Sequence, residues 1–310
     1  MSLKPLSKQK CDSLKKTAAI ASISLSVGLS LLKTFGALYT GSLAVLSSMI
    51  DSLADIFASS ITFIAVKFSS KPATADHRYG YGKAEALSAL IQSAFIAGSG
   101  IFVMYDGFSR IFYPRQLEQT DIGILIMVIS LIATIALILF QKYVTKRTAS
   151  QAISADSAHY TVDVLTNISI IISLVVVKLF QISWFDTLTA FVISSYLLKN
   201  AYHLASDAVK ILMDAELSDE IRLNIINIVK ESPFAKGIHD LRTRDLGGTY
   251  MFEFHLELDG ELSLYAAHDL TDLIEEDILA AYPNAQIIIH QDPAGIKEER
   301  LDQKIKYNRK

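Results

Sequence analysis

Residues 43–66 read LAVLSSMIDSLADIFASSITFIAV. A hydrocarbon core about 30 Å thick is crossed by about 20 residues of helix, so the stretch is long enough to span a membrane. Its apolar run is broken by Asp51 and Asp55. A carboxylate at the bilayer centre costs ~3 kcal/mol on insertion scales. A spacing of four puts both side chains on one helix face. Residues 152–178 carry His159 and Asp163 at the same spacing. Two such helices, facing each other, can bring three carboxylates and one imidazole together.

Working outward, the first two-thirds of the chain reads as six spans: 17–38, 43–66, 86–108, 121–141, 152–178 and 184–206. The stretches 86–105 and 122–141 hold no charged residue. A large soluble helical bundle would keep a polar face on each helix. Short-loop cations set the orientation. The N-terminal arm has Lys4, Lys8, Lys10, Lys15 and Lys16, the second loop Lys67, Lys71, Arg78 and Lys83, and the fourth Lys142, Lys146 and Arg147. Loops one and five have none, and loop three has only Arg110 and Arg115. Both termini are therefore expected in the cytoplasm. The basic start and the length of the first apolar stretch do not fit a cleavable secretion signal.

The net charge of -3 over 310 residues hides a division. Residues 1–211 hold 18 Lys+Arg against 12 Asp+Glu, a balance of +6, and residues 212–310 hold 11 against 20, a balance of -9. A mean hydropathy of +0.34 excludes a disordered chain, and the modest charge gives no footprint for nucleic acid. The one cysteine, Cys11, excludes an internal disulfide framework and a thiolate zinc cluster.

After residue 211 the periodicity changes. Residues 218–231 have a helical pattern, 238–246 and 250–258 read as strands around Gly247-Gly248, 263–282 as an amphipathic helix, and 287–290 as a third strand. The expected fold is an α-helical membrane protein of six transmembrane helices with a C-terminal cytoplasmic α+β domain of order αββαβ.

Asp51, Asp55, His159 and Asp163 form a ligand set suited to a tetrahedral Zn²⁺, and also to Fe²⁺, Mn²⁺, Co²⁺ or Cd²⁺. Hydrogen bonding between helices is the bland role for such groups, and it suits Asn167, Thr161 and Ser169. Asp156 reads as a pathway or cap residue near the cytoplasmic end. Asp106 and Lys33 lie toward the outer ends of their spans, where side chains snorkel. Clustered carboxylates in low dielectric are costly to leave charged. A site without metal should therefore hold protons, and metal entry should expel them. The tail adds His239, His255, His268, His290 and Asp292, imidazole and carboxylate donors able to hold two ions. Its acidic balance draws cations.

The stretches LSSMIDSLADIFASS (46–60), HRYGYGKAE (77–85), ISADSAHYTVDVLTN (153–167), HDLRTRDLGG (239–248) and IIIHQDP (287–293) resemble the cation diffusion facilitator family, in particular its bacterial zinc/ferrous-iron efflux members. The resemblance implies a homodimer in the bacterial inner membrane. It divides the chain into a six-helix transmembrane domain (1–210), a metallochaperone-like, metal-binding dimerisation domain (211–300) and a tail (301–310). It assigns Asp51, Asp55, His159 and Asp163 to transport, and His239, His255, His268, His290 and Asp292 to a binuclear cytoplasmic site. It makes Lys83 and Asp214 a charge interlock. Relatives also carry a loop site with one carboxylate and two histidines. Here Asp76 and His77 are present, but Tyr81 and Thr74 stand at the other positions, so that site is expected to be weak or absent. An Asp at Asp51 implies a range of metals rather than zinc alone.

The implied function is proton-coupled export of divalent metal by alternating access, with divalent ions as substrate and regulator and no catalytic cofactor. A metal-gated channel or a membrane-tethered metal sensor is the alternative, and only uphill, pH-driven movement separates them. An intramembrane metalloenzyme is disfavoured, because H-E-x-x-H is absent.

Overall fold

The computed structural model describes residues 8–40, 43–112, 121–180, 184–296 and 300–305. Lys4 and Arg115 lie outside this set, as do the side chains of Asp51, Asp106, Arg110, Asn167 and Ser169. Two compact units divide the chain, Met1–Val209 and Lys210–Lys310.

The first unit is built from six long helices: α1 (Lys8–Thr40), α2 (Leu43–Ser69), α3 (Ala84–Phe112), α4 (Asp121–Thr148), α5 (Gln151–Phe180) and α6 (Trp184–Leu212). They run 27 to 33 residues, more than the ~20 a bilayer core needs. The excess lies largely at polar ends. Helix α1 starts at Lys8 rather than near residue 17, α4 continues to Thr148, and α6 to Leu212. Hydropathy marks the apolar slab, whereas the backbone ladder continues through Lys, Gln and Leu, which are good helix formers. Among the described residues, Gln9–Phe35, Ala84–Ser109 and Val128–Thr148 are long and apolar enough to cross a membrane.

The unit is arranged for a lipid solvent. Leu31, Phe35, Phe102, Ile132 and Leu139 are exposed, while Ser22, Ser26, Ser59, Thr62, Gln92 and Gln141 are buried. Small residues such as Ala18, Ala19 and Ala65 let helix backbones approach closely, the usual packing of membrane helices.

The second unit contains α7 (Asp219–Glu231), β1 (Gly237–Asp245), β2 (Tyr250–Leu258), α8 (Leu264–Ala281), β3 (Gln286–Pro293) and the short α9 (Leu301–Lys304). The sheet order is β1-β2-β3. Strands β1 and β2 are antiparallel across the Gly247-Gly248 turn, where both glycines have φ near +90° and both donate to Asp245 Oδ1. Strand β3 is parallel to β2, with α8 as the crossover. Phe252, Phe254, Leu256 and Leu258 pack with Ile225 and Val229 of α7 and Ile274 and Ile278 of α8. These residues occupy alternate positions of β2, so His255 and Glu257 point to the opposite face. A bulge in β1 between His239 and Arg242 holds Asp240 at φ +53°, a conformation that Asp tolerates better than most residues.

Candidate metal sites

The first cluster joins α2 to α5. His159 and Asp163 lie one turn apart on α5, and Asp55 comes from α2. His159 Nε2 is 3.2 Å from Asp55 Oδ1 and 4.0 Å from Asp163 Oδ2. One ligand atom from each of the three lies within 4.8 Å of the others. Ligands at about 2.1 Å around a tetrahedral ion sit about 3.4 Å apart, so only small side-chain movements are needed to close on a metal. Asp51 stands one turn before Asp55 on α2, by backbone placement alone.

One turn before His159, Asp156 is fully buried. It accepts from Ser22 Oγ of α1 at 2.5 Å and from Gln141 Nε2 of α4 at 2.6 Å. The Tyr160 hydroxyl meets Ser26 Oγ at 2.6 Å and Ser59 Oγ at 2.8 Å. Helices α1, α2, α4 and α5 are thus tied beside the cluster. The cap of α5 is Ser150, whose Oγ accepts from Ile153 N–H. A second buried knot has Lys15 Nζ 2.9 Å from Glu85 Oε1, which also accepts from Ser69 Oγ, while Ser150 donates to the other oxygen. Neither knot was legible, because each joins residues far apart in sequence with no spacing signal.

The second cluster lies on the sheet. His239, His255 and His290 are direct neighbours across β1, β2 and β3. Their ring centroids lie 4.9 and 4.7 Å apart, with the planes tilted by 33° and 52°. Asp292 follows on β3: its Oδ2 is 2.8 Å from His255 Nδ1 and 3.6 Å from His239 Nε2, and its Oδ1 is 3.2 Å from His290 Nε2. Two imidazoles and a carboxylate within 4.8 Å fit a divalent ion of the zinc type, with His290 beside them. His268 is not brought to this row. It lies on α8, exposed, 3.5 Å from Asp272, and α8 covers the other face of the sheet.

In the loop after α2, Asp76 and His77 are exposed. His77 stacks on Tyr81 at 4.5 Å, and Tyr81 pairs with Thr74. Among the described residues no third ligand joins them. Lys83 belongs to the first unit and Asp214 to the second, where Asp214 is 3.5 Å from Arg244.

Long helices with polar interiors and apolar exteriors, together with a histidine-bearing sheet domain, define a membrane protein that handles metal cations. The cation efflux transmembrane domain model matches residues 19–213, and the cation efflux protein cytoplasmic domain model matches 217–294. The chain belongs to this family, the cation diffusion facilitators. It is 41% identical over 282 residues to the cation-efflux pump FieF of Shewanella oneidensis, covering 91% of this chain and 95% of that protein. FieF of Klebsiella pneumoniae is 40% identical over 293 residues, 93% and 96% of the two chains. The metal-bound C-terminal domain of the CzcD transporter from Thermotoga maritima aligns at 29% identity over 26% of this chain and 93% of its own, with a TM-score of 0.25. Family membership makes the chain an integral membrane transporter that moves divalent metal cations outward, not an enzyme.

Proposed function

We propose that the chain is a proton-coupled antiporter. It exports Zn²⁺, and with it Fe²⁺ and Cd²⁺, from the cytoplasm across the bacterial inner membrane by alternating access. The observation that carries this reading is the Asp55–His159–Asp163 cluster between two long helices of an inside-out polar body. Asp51, on the same face of α2, completes four ligands. Ligands must shed protons to bind metal, so each arrival releases protons and each departure recovers them. Divalent metal is the cargo here.

Residues 1–210 form the transport domain, and 211–300 a metal-binding dimerisation domain ahead of the 301–310 tail. Both termini face the cytoplasm, and the unit of function is a homodimer. His239, His255, His290 and Asp292 hold regulatory ions there, with His268 supplied separately. Lys83 and Asp214 act as an interlock between domains. The loop pair Asp76 and His77 holds metal weakly or not at all.

Reconstituted protein should be compared with Asp51→Ala for uptake of Zn²⁺, Fe²⁺, Mn²⁺ and Cd²⁺. Loss of all metal flux in the variant supports the assignment, and wild-type flux in the variant contradicts it.

A further inference from the structure

The face that carries the histidine row also carries a clamped carboxylate. Glu257 lies opposite Gly237 on β1 and Asp292 on β3. Its Oε1 stands 3.2 Å from Nδ1 of His239 and accepts from Nη2 of Arg300. A Cβ at Gly237 would meet that carboxylate at 2.7 to 2.9 Å, so the glycine makes room for it. Arg300 is delivered by α9. The Asp240 carboxylate accepts from Leu301 N–H at 2.8 Å and Asp302 N–H at 2.9 Å, and Asp302 Oδ2 accepts from Asp240 N–H at 2.9 Å. This docking occurs at the β1 bulge, next to His239. Arg300 and α9 lie beyond residues 217–294, the extent of the cytoplasmic-domain match.

His239 is thus approached on both nitrogens, Nδ1 by Glu257 and Nε2 by Asp292 at 3.6 Å. The Glu257 contact is a close approach rather than an aligned hydrogen bond. An imidazole that gives its Nδ1–H to a carboxylate keeps its Nε2 lone pair for a metal, and the carboxylate fixes both tautomer and ring orientation.

We propose that Glu257, held by Arg300 of the docked C-terminal segment, is the positioning residue of the sheet metal site: it takes the Nδ1–H of His239 and aims Nε2 at the ion shared with His255 and Asp292. The inference rests on reading those three residues as metal ligands. Arg300 acts through Glu257, by holding the same carboxylate oxygen, Oε1, that approaches His239.

The test uses full-length protein in detergent carrying Asp51→Ala and Asp163→Ala, so that the sheet site is the one measured. Zn²⁺ alone is titrated against a chromophoric chelator. Asp292→Ala must first abolish tight binding; if it does not, the ligand reading itself fails. Given that loss, Glu257→Gln should weaken Zn²⁺ binding about ten- to hundredfold, the usual effect of removing a partner of a metal-bound histidine. Arg300→Ala should weaken it by less, and the double variant should be no worse than Glu257→Gln alone. In protein carrying ¹⁵N-labelled histidine, before metal is added, His239 should hold its proton on Nδ1 in wild type and lose that preference in Glu257→Gln. Unchanged affinity in Glu257→Gln, where Asp292→Ala has lost binding, overturns the proposal. So does tighter binding in Arg300→Ala, which would make the guanidinium a competitor of the ion.

Discussion

The two metal clusters use the same donors, imidazole and carboxylate, on opposite kinds of scaffold. In the membrane unit, His159 and Asp163 are one helical turn apart, and Asp55 reaches them from a packed neighbour. In the sheet, His239, His255 and His290 are one strand apart, and Asp292 sits two residues along. The helical site can open by sliding or tilting one helix against another, because its ligands come from two separate elements. The sheet site is held by the pairing of β2 with β1 on one side and β3 on the other. On the reading proposed above, the helical site serves release of the ion and the sheet site its retention.

The largest difference between the two sites is expected at Asp163. Asp163→Ala should reduce transport in proteoliposomes by on the order of a hundredfold or more, since it removes a ligand rather than a ligand's partner. Asp292→Ala should leave transport within a few-fold of wild type. Equal loss in both would erase the distinction. Next, the membrane unit contains a buried ion pair between Lys15 and Glu85. Lys15→Met leaves Glu85 buried without its cation and should cost about 3–5 kcal/mol, read as a lowered melting temperature in detergent.

A smaller effect concerns Asp240. Burial would raise its carboxyl, but hydrogen bonds from the Asp302 and Leu301 N–H groups, with the nearby His239 and His255, bring it below its ordinary 3.8. A depressed carboxyl contributes stability above the unfolded value and loses it as pH falls through the folded one. Proteolysis at the C-terminal segment should therefore be slow at neutral pH and quicken only in acid below about pH 4. The smallest effect is expected at His77, where His77→Ala should leave metal affinity and transport unchanged.

Legibility followed scaffold. The i,i+4 pairs were visible because helix periodicity alone aligns them, and the cost of carboxylates in lipid implied that the pairs meet. Strand β2 was readable from Phe252, Phe254 and Leu256 alternating with Glu253, His255 and Glu257. The sheet cluster was legible as a set but not as a geometry. Which residues face together depends on register, on the parallel pairing of β3 and on the bulge at Asp240, so His268 could not be separated from the row. The sequence suggests a pathway or cap role for Asp156 near the cytoplasmic end. Its partners Ser22 and Gln141 come from two other helices, and Ser150 takes the cap. Arg300 had no sequence signal, because only α9 docking brings it to Glu257.

Antiport requires the α2–α5 site to exchange metal for protons. The most direct measurement is Zn²⁺ flux in proteoliposomes loaded with a pH dye, under an imposed pH gradient and with no zinc gradient. Net zinc accumulation against its own concentration is expected, with protons moving the opposite way and both movements absent in Asp51→Ala. Zinc movement that only runs downhill, at a rate indifferent to the pH gradient, would contradict it.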